Sequence, residues 1–138
     1  MKKFKRILLV DDDDTSNLLS TMVITDMEIA EDVDVAFNGE EAINYILKNC
    51  KNGGETGERH CPELILLDIN MPVMDGFEFL ETYKEKFDHQ SQVPVVMLSS
   101  SNNPKDYERA FSYNVKGFIV KPLNEEKLMK IFEDSQKG

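Results

Sequence analysis

Five short apolar runs, separated by longer segments with helical periodicity, constrain the fold of this chain more than any other feature of its sequence. Each run has the length of a β-strand, is rich in branched residues and is bounded by polar or turn residues. Three of the runs are nearly continuous in apolar residues, which is typical of strands covered on both faces in a parallel sheet between two layers of helices. The runs are residues 7–10, 33–37, 64–67, 93–98 and 115–120.

The segments that follow these runs predict five helices. Two of them have clear start signals, because Asn103 precedes a proline and Asn124 precedes two glutamates. Apolar residues recur at helical spacing and predict the buried faces of the first four helices. These faces are Leu18, Leu19, Met22 and Val23; Ala42, Ile43, Ile46 and Leu47; Phe79, Leu80, Tyr83 and Phe87; and Tyr107, Ala110 and Phe111.

Five consecutive strand–helix units favour an α/β fold. Parallel strands need right-handed crossovers, and a closed barrel would need eight units. The chain is therefore predicted to form a flavodoxin-like (βα)5 doubly wound parallel sheet with strand order 2-1-3-4-5. Its 138 residues are typical of one domain, so we expect a single domain over residues 1–138. Residues 48–62, with three glycines among charged residues, predict a mobile surface loop to which no function is assigned.

The net charge of the chain indicates which classes of partner it can bind, and its two cysteines are interpreted from the expected cellular compartment. Sixteen Lys and Arg against 26 Asp and Glu leave a net charge of −10, which repels nucleic-acid phosphates and anionic lipid headgroups. We expect no direct nucleic-acid binding and no membrane contact. No apolar run approaches the ~20 residues of a membrane span. Only four apolar residues follow the basic start of the sequence, so we expect no signal peptide and a cytoplasmic location. In that reducing compartment Cys50 and Cys61 are expected to be two thiols rather than a disulfide, and their spacing fits no zinc template.

Polar side chains of complementary chemistry follow four of the five predicted strands. Residues 11–14 are four aspartates after the first strand, Asp68 follows the third, residues 99–101 are three serines after the fourth, and Lys121 follows the fifth. In an open parallel sheet the ligand binds beyond the carboxyl ends of the strands, where the strand order reverses. The predicted order places these four strands side by side, so we expect the polar groups to converge.

Such a pocket is suited to phosphoryl chemistry. Asp11, Asp12 and Asp68 would crowd three carboxylates, which a cation relieves, and Mg²⁺ is usually held by a few protein oxygens plus water and phosphate. Lys121 is suited to a phosphoryl oxygen, and Ser99 offers a hydroxyl donor. A carboxylate in this setting can attack a phosphoryl group in line and form an acyl phosphate.

Other acidic residues near the pocket have structural explanations. Asp13 and Asp14 are expected to cap the first helix. Asp75, which precedes Gly76, is expected to be a turn or cap residue rather than a metal ligand.

Four stretches of the sequence resemble the receiver domain of two-component response regulators, the stand-alone chemotaxis type in particular. The resemblance extends over residues 5–134. The stretches are ILLVDDD at 7–13, LILLDINMPVMDG at 64–76, PVVMLS at 94–99 and GFIVKP at 117–122. The pattern D-x-x-M-P-x-M-D-G in the second stretch is highly specific on its own.

The resemblance implies roles for the acidic residues. Asp68 would be the phosphoacceptor. Asp11 and Asp12 would be the acidic pair, with Asp12 as a direct Mg²⁺ ligand and Asp11 acting largely through water. Asn70 would offer its main-chain carbonyl to the metal.

The resemblance also implies a switch. Ser99 would turn toward the phosphoryl group and Lys121 would pair with it, and the bond between Lys121 and Pro122 would be cis. Phe118 would move inward when Ser99 turns and so change the face formed by the fourth helix, fifth strand and fifth helix. The chemotaxis type has a tyrosine at this position, so here no phenolic hydroxyl takes part.

The implied function is a phosphorylation-switched signalling domain of a phosphorelay, with Mg²⁺ as cofactor. The donor would be a sensor histidine kinase or a histidine phosphotransfer protein, and the chain would catalyse only its own phosphorylation and dephosphorylation. Because the sequence ends after the fifth predicted helix, output is expected through a downstream protein bound at the switch face, or through onward phosphotransfer.

Two other functions share parts of this pattern. A haloacid-dehalogenase-type phosphatase also combines an aspartate nucleophile with a second carboxylate, a lysine and Mg²⁺, but its nucleophile follows the first strand in a D-x-D pattern. A flavodoxin-like electron carrier needs a phosphate-binding loop after the first strand, where this chain has four carboxylates that would repel the flavin phosphate.

Overall fold

The computed structural model describes residues 4–50, 61–87 and 93–137. Strands and helices alternate through these ranges, and no described helix has the length and apolarity to cross a membrane. The ends of the predicted strands shift by up to three residues, and residues 51–60 of the predicted loop lie outside the described ranges. The elements are β1 (Phe4–Val10), α1 (Asp14–Met27), β2 (Ala30–Ala36), α2 (Gly39–Asn49), β3 (Leu64–Asp68), α3 (Gly76–Lys86), β4 (Val95–Ser99), α4 (Pro104–Ser112), β5 (Gly117–Val120) and α5 (Glu125–Lys137).

The five strands form one parallel sheet in the order β2-β1-β3-β4-β5. The flavodoxin-like doubly wound prediction is therefore confirmed. The register pairs Val10 with Leu67 and Asp68 with Leu98. The carboxyl ends of β1, β3 and β4 consequently lie at the same edge of the sheet.

The sheet is buried on both faces, which explains the nearly continuous apolar runs, because successive side chains of a strand point to opposite faces. One core cluster lies against α2 and α3 and includes Leu8, Val10, Ile46, Ile65, Leu67, Phe79 and Tyr83. The other lies against α1 and α5 and includes Ile7, Leu9, Ile24, Leu66 and Leu128.

Four helices begin at cap residues that the sequence analysis identified. The side chains of Asp13, Asp75, Asn103 and Asn124 each accept a hydrogen bond from a backbone N–H two or three residues later. Asp14, which the sequence analysis also expects to cap α1, is instead the first residue of the helix.

The predicted buried face of α1 is wrong. Leu18, Leu19 and Met22 are 61%, 51% and 52% exposed. The face that contacts the sheet includes two polar side chains and consists of Asn17, Ser20, Ile24 and Met27. Asn17 is buried because its side-chain amide donates a 2.9 Å hydrogen bond to the main-chain oxygen of Asp11, a contact that a hydrophobic pattern does not reveal.

The other predicted helix faces are correct with three exceptions. The four apolar residues predicted for α3 are all buried. Leu47 of α2 is exposed, and so are Tyr107 and Phe111 of α4, where only Ala110 is buried.

The prediction of two free thiols is also wrong. Cys50 and Cys61 form a disulfide, with their Cα atoms 4.9 Å apart. Cys50 follows the last turn of α2 and Cys61 precedes β3, and both side chains are buried in the core cluster on the α2 side of the sheet. The prediction rests on the expected compartment, which carries no information about how close Cys50 and Cys61 lie in the fold.

Candidate functional site

The carboxyl ends of four strands bring the predicted site residues to one edge of the sheet. Asp11 follows β1, Asp68 ends β3, Ser99 ends β4 and Lys121 follows β5. One carboxylate oxygen from each of Asp11, Asp12 and Asp68 lies within 4.8 Å of the others. The three carboxylates therefore share a single small pocket, and Lys121 lies beside them.

Asp11 is completely buried and is held by three hydrogen-bond donors. The ammonium group of Lys121 lies 2.6 Å from Oδ2, and the hydroxyl of Ser16 donates to the same oxygen at 2.8 Å. The backbone N–H of Asp13 donates to Oδ1 at 3.0 Å. A buried carboxylate is stable only when it is paired and hydrogen-bonded, and these donors satisfy that requirement.

Asp68 is almost fully buried at the end of β3 and has fewer partners. Its Oδ1 accepts a 2.9 Å hydrogen bond from the backbone N–H of Ile69 and lies 3.6 Å from the ammonium group of Lys121. Burial raises the pKa of Asp68 to about 6, Lys121 opposes that rise, and Asp11 adds to it. The carboxylate is thus ionised at neutral pH but poorly solvated.

The loop after Asp68 is held against the end of β3 by Gly76. A Cβ atom on Gly76 would lie 2.4 Å from the main-chain oxygen of Asp68, so only glycine permits this approach. Its N–H donates to the carbonyl of Ile69 at 2.8 Å. Asp75 forms a capping box with Glu78, as expected for a cap residue. The D-G pair in the sequence motif thus closes the loop that carries the exposed residue Asn70.

Ser99 connects β4 to Lys121. Its main-chain oxygen accepts a 2.7 Å hydrogen bond from the backbone N–H of Lys121. Its hydroxyl oxygen accepts one from the N–H of Ser101 at 3.0 Å, and its side chain is fully buried. The peptide bond between Lys121 and Pro122 is cis, which confirms the expectation from the resemblance.

Phe118 lies on β5 with its ring partly buried against the core cluster that lies against α2 and α3. Its ring centroid is 5.5 Å from that of Tyr107 on α4, and the Tyr107 ring is 4.6 Å from that of Phe111. Tyr107 is 53% exposed and Phe111 36% exposed. These three rings, the α4–β5 aromatic cluster, therefore join a core position to the protein surface.

The pocket fits a small divalent cation. Its donors are hard carboxylate oxygens, and Asp12 is exposed, so water can complete the coordination as Mg²⁺ requires. Asp11 and Asp68 supply the buried side of the pocket. This donor set is unsuited to softer metals, which favour sulfur or imidazole.

Sequence reasoning missed two residues that hold this site. Ser16 and Asn17 lie in the first turn of α1, five and six residues after Asp11, and they contact its carboxylate and its main-chain oxygen, respectively. The sequence analysis assigns neither residue a role at the site. A polar pair directly after a β-strand and a helix cap, where a hydrophobic face should begin, is the signal that could have identified them.

Comparisons with known proteins agree with this geometry. The family model described as response regulator receiver domain matches residues 7–133. The probable methanogenesis regulatory protein FilR2 of Methanothrix harundinacea is 30% identical over 128 residues, which cover 93% of this chain and 79% of FilR2. The nitrate/nitrite response regulator protein NarL of Escherichia coli K12 is 33% identical over 135 residues, covering 96% of this chain and 55% of NarL. This chain thus spans about half the length of NarL.

A solved structure gives the same result. The two-component response regulator from Cytophaga hutchinsonii superimposes with a TM-score of 0.82 at 29% sequence identity. The match covers 99% of this chain and 100% of that one. These comparisons give no support to the phosphatase alternative.

Proposed function

This chain belongs to the family of response regulator receiver domains, the signalling domains of two-component systems, and on that basis we propose that Asp68 accepts a phosphoryl group from a phosphohistidine. The observation that carries the proposal is the convergence of the Asp11, Asp12 and Asp68 carboxylates beside Lys121. Of the two buried carboxylates, Asp68 has fewer partners than Asp11, and its burial leaves the carboxylate poorly solvated. It is therefore the better nucleophile of these two buried carboxylates.

In the proposed transfer, an oxygen of Asp68 attacks the phosphorus atom while the bond from phosphorus to the donor nitrogen breaks. The leaving imidazole takes a proton from solvent, and Asp68 becomes an acyl phosphate. Lys121 is 3.6 Å from Asp68 and can shift from Asp11 to a phosphoryl oxygen. Ser99 supplies a hydroxyl from the adjacent strand.

The cation is proposed to be Mg²⁺. Asp11, Asp12 and Asp68 would hold it through carboxylate oxygens, and Asn70 through its main-chain carbonyl. Bound there, Mg²⁺ would neutralise charge on the transferring phosphoryl group. Lys121 and Ser99 would position that group, and the buried side of the pocket would exclude bulk water from it.

Acetyl phosphate provides the test of the phosphoacceptor. With Mg²⁺, the protein should gain about 80 Da, the mass of one PO₃H unit, in an acid-stable and base-labile form. The matched variants are Asp68→Asn, which should gain nothing, and Glu85→Gln, a change of an exposed carboxylate on α3 that should behave like the wild type. An adduct on Asp68→Asn would refute the assignment. Steady turnover of p-nitrophenyl phosphate would instead favour a phosphatase, since the proposed domain acts only on its own acyl phosphate.

A protein donor is favoured by the exposed face of α1. This helix starts next to the pocket, and Leu18, Leu19 and Met22 are all more than half exposed on it. A donor that presents its phosphohistidine to Asp68 would cover these side chains. Apolar surface near the site in this way is typical of a protein contact rather than of a small-molecule substrate.

The α1 face can be tested separately from the chemistry. The double variant Leu18→Ser/Met22→Ser should slow phosphotransfer from a phosphorylated histidine phosphotransfer protein about tenfold, the effect of losing about 1.4 kcal/mol of contact. Its reaction with acetyl phosphate should be unchanged. Leu47→Ser, at a similarly exposed leucine on α2, is the control. Equal phosphotransfer rates for all three proteins would contradict this docking site.

Output is proposed to pass through the face formed by α4, β5 and α5. The α4–β5 aromatic cluster supports this, because Phe118 packs against the buried core and its ring also contacts that of Tyr107. An inward movement of Phe118 would withdraw support from Tyr107 and change the exposed surface. The downstream target would be a protein, or the phosphoryl group would pass onward in a relay. That residues 1–138 act as a single receiver domain stays a prediction.

A further inference from the structure

The strongest unassigned feature of the molecule is the way in which α1 holds Asp11. Asp11 Oδ2 accepts two hydrogen bonds, from the Lys121 ammonium group at 2.6 Å and from the Ser16 hydroxyl at 2.8 Å. Among the residues that the structure describes, Oδ1 accepts a hydrogen bond only from the N–H of Asp13, at 3.0 Å. A carboxylate has about four acceptor positions, so the remaining one on Oδ1 is free to face a cation or its water.

The hydroxyl of Ser16 is not needed to cap α1. Asp13 already fills that position by accepting a hydrogen bond from the N–H of Thr15. Ser16 is therefore a helical residue whose hydroxyl donates backward, out of the helix, to a carboxylate five residues earlier. Asn17 supports the same segment by donating to the main-chain oxygen of Asp11 at 2.9 Å.

The hydrogen bond from Ser16 to Asp11 becomes more important to the stability of the site when Lys121 moves away from Asp11. Lys121 lies between Asp11 and Asp68, at 2.6 Å and 3.6 Å, and a phosphoryl group on Asp68 would attract it away from Asp11. Asp11 is completely buried, so the loss of its charged donor would be costly unless another donor stayed in place. Ser16 is that donor, because its hydroxyl on α1 donates to the same Oδ2 atom of Asp11 that Lys121, after β5, contacts.

We propose that Ser16 is a positioning residue of the phosphorylation site. It keeps Oδ2 of Asp11 hydrogen-bonded while Lys121 transfers to the phosphoryl group, and it keeps Oδ1 turned toward the cation. Ser16 touches neither the phosphoryl group nor the metal. The inference rests on the proposed function, because it presupposes phosphorylation of Asp68.

The test compares Ser16→Thr with Ser16→Val, two β-branched residues of similar shape that differ in the hydroxyl. Ser16→Ala is the simple deletion, and Ser20→Ala makes the same change one turn further along α1. Circular dichroism establishes that each variant is folded. The measurements are the Mg²⁺ dissociation constant by calorimetry and, at saturating Mg²⁺, the kinetics of Asp68 phosphorylation by acetyl phosphate, in which kcat is the maximal rate constant of phosphorylation and KM the acetyl phosphate concentration that gives half of it.

Partners that orient a metal ligand typically contribute a factor of about 10–100 to affinity or activity. We expect Ser16→Val and Ser16→Ala to bind Mg²⁺ roughly tenfold more weakly and to have a kcat reduced roughly tenfold with little change in KM. Ser16→Thr and Ser20→Ala should stay within about threefold of the wild type, because Thr keeps the donor and Ser20 does not contact Asp11.

Two outcomes would overturn the inference. Equal Mg²⁺ affinity and equal kcat for the Thr and Val variants would show that the hydroxyl has no positioning role. A loss in Ser20→Ala as large as that in Ser16→Ala would show that only the stability of α1 matters. Failure of the proposed function is distinguishable, because the wild type would then gain no phosphoryl group while the Mg²⁺ affinities would still separate the Thr and Val variants.

Discussion

Replacing Asp68 with asparagine is expected to stabilise the metal-free protein at neutral pH. Burial raises the pKa of Asp68 from 3.8 to about 6, so ionisation is less favourable in the folded state than in the unfolded one. A difference of two pKa units corresponds to about 3 kcal/mol. Water and salt at the open side of the pocket, together with the lost contact to Lys121, should reduce the gain to about 1–2 kcal/mol. That gain corresponds to a rise in Tm of about 3–8 °C for a chain of this size.

The gain should depend on pH in one direction. Because the pKa of Asp68 is higher in the folded state, the folded protein binds the proton more tightly. The contribution of this group to stability is therefore fully present below about pH 4 and is lost as the pH rises through about 6. Asparagine has no such titration. The difference in Tm between Asp68→Asn and wild type should be smallest near pH 4, should grow from there to about pH 7 and should then stay constant.

Thermal unfolding followed by circular dichroism in EDTA is a suitable assay, at about pH 4.5, 6 and 7.5 to span the titration. Glu85→Gln, the same carboxylate-to-amide change on the exposed surface of α3, should shift the free energy of unfolding by no more than about 0.5 kcal/mol at any of these pH values. Two results would refute the reasoning. One is an equal Tm for Asp68→Asn and wild type at the highest pH, and the other is a difference that does not change with pH.

Two further predictions concern the scaffold around the site. The disulfide between Cys50 and Cys61 closes a loop with a sequence separation of 11, and its reduction should lower the free energy of unfolding by about 3 kcal/mol. The control is the double serine variant, which should unfold at the same temperature with and without dithiothreitol. A wild-type protein whose unfolding temperature is equally insensitive to dithiothreitol would contradict the prediction. Val73 has a φ of 66°, which is strained for a β-branched residue. Val73→Gly should therefore raise the free energy of unfolding, measured by urea titration, by about 0.5–1 kcal/mol. Val73→Ala, which keeps a Cβ, should raise it less. A urea midpoint for the glycine variant below that of the wild type would show that the loop is unstrained.

The parts of the site that depend on sheet topology could be predicted from the sequence. Once the strand order is known, residues at the carboxyl ends of β1, β3, β4 and β5 must lie at one edge, so Asp11, Asp68 and Lys121 could be placed together without coordinates. Topology does not determine hydrogen bonds that helices make back to the strand ends. The contact from Ser16 to Asp11 and the contact between Tyr107 and Phe118 depend on how each helix is rotated about its axis, and hydrophobic spacing predicts this rotation only where burial alone determines it.

In this molecule the rotation of α1 about its axis is determined by hydrogen bonds to Asp11. A rotation that turned Leu18 and Met22 toward the sheet would bury two apolar side chains, each worth up to about 2 kcal/mol, but it would expose Ile24 and Met27, which are buried in the observed structure. That rotation would carry Ser16 and Asn17 away from Asp11 and leave a buried carboxylate with fewer donors, and the loss of a partner from a buried charge costs about 3–5 kcal/mol. Apolar burial therefore changes little between the two rotations, and the hydrogen bonds to Asp11 favour the observed one. The same rotation turns Leu18 and Leu19 toward solvent beside the pocket, so the support of Asp11 and the exposed face that we propose for donor binding have a single structural cause.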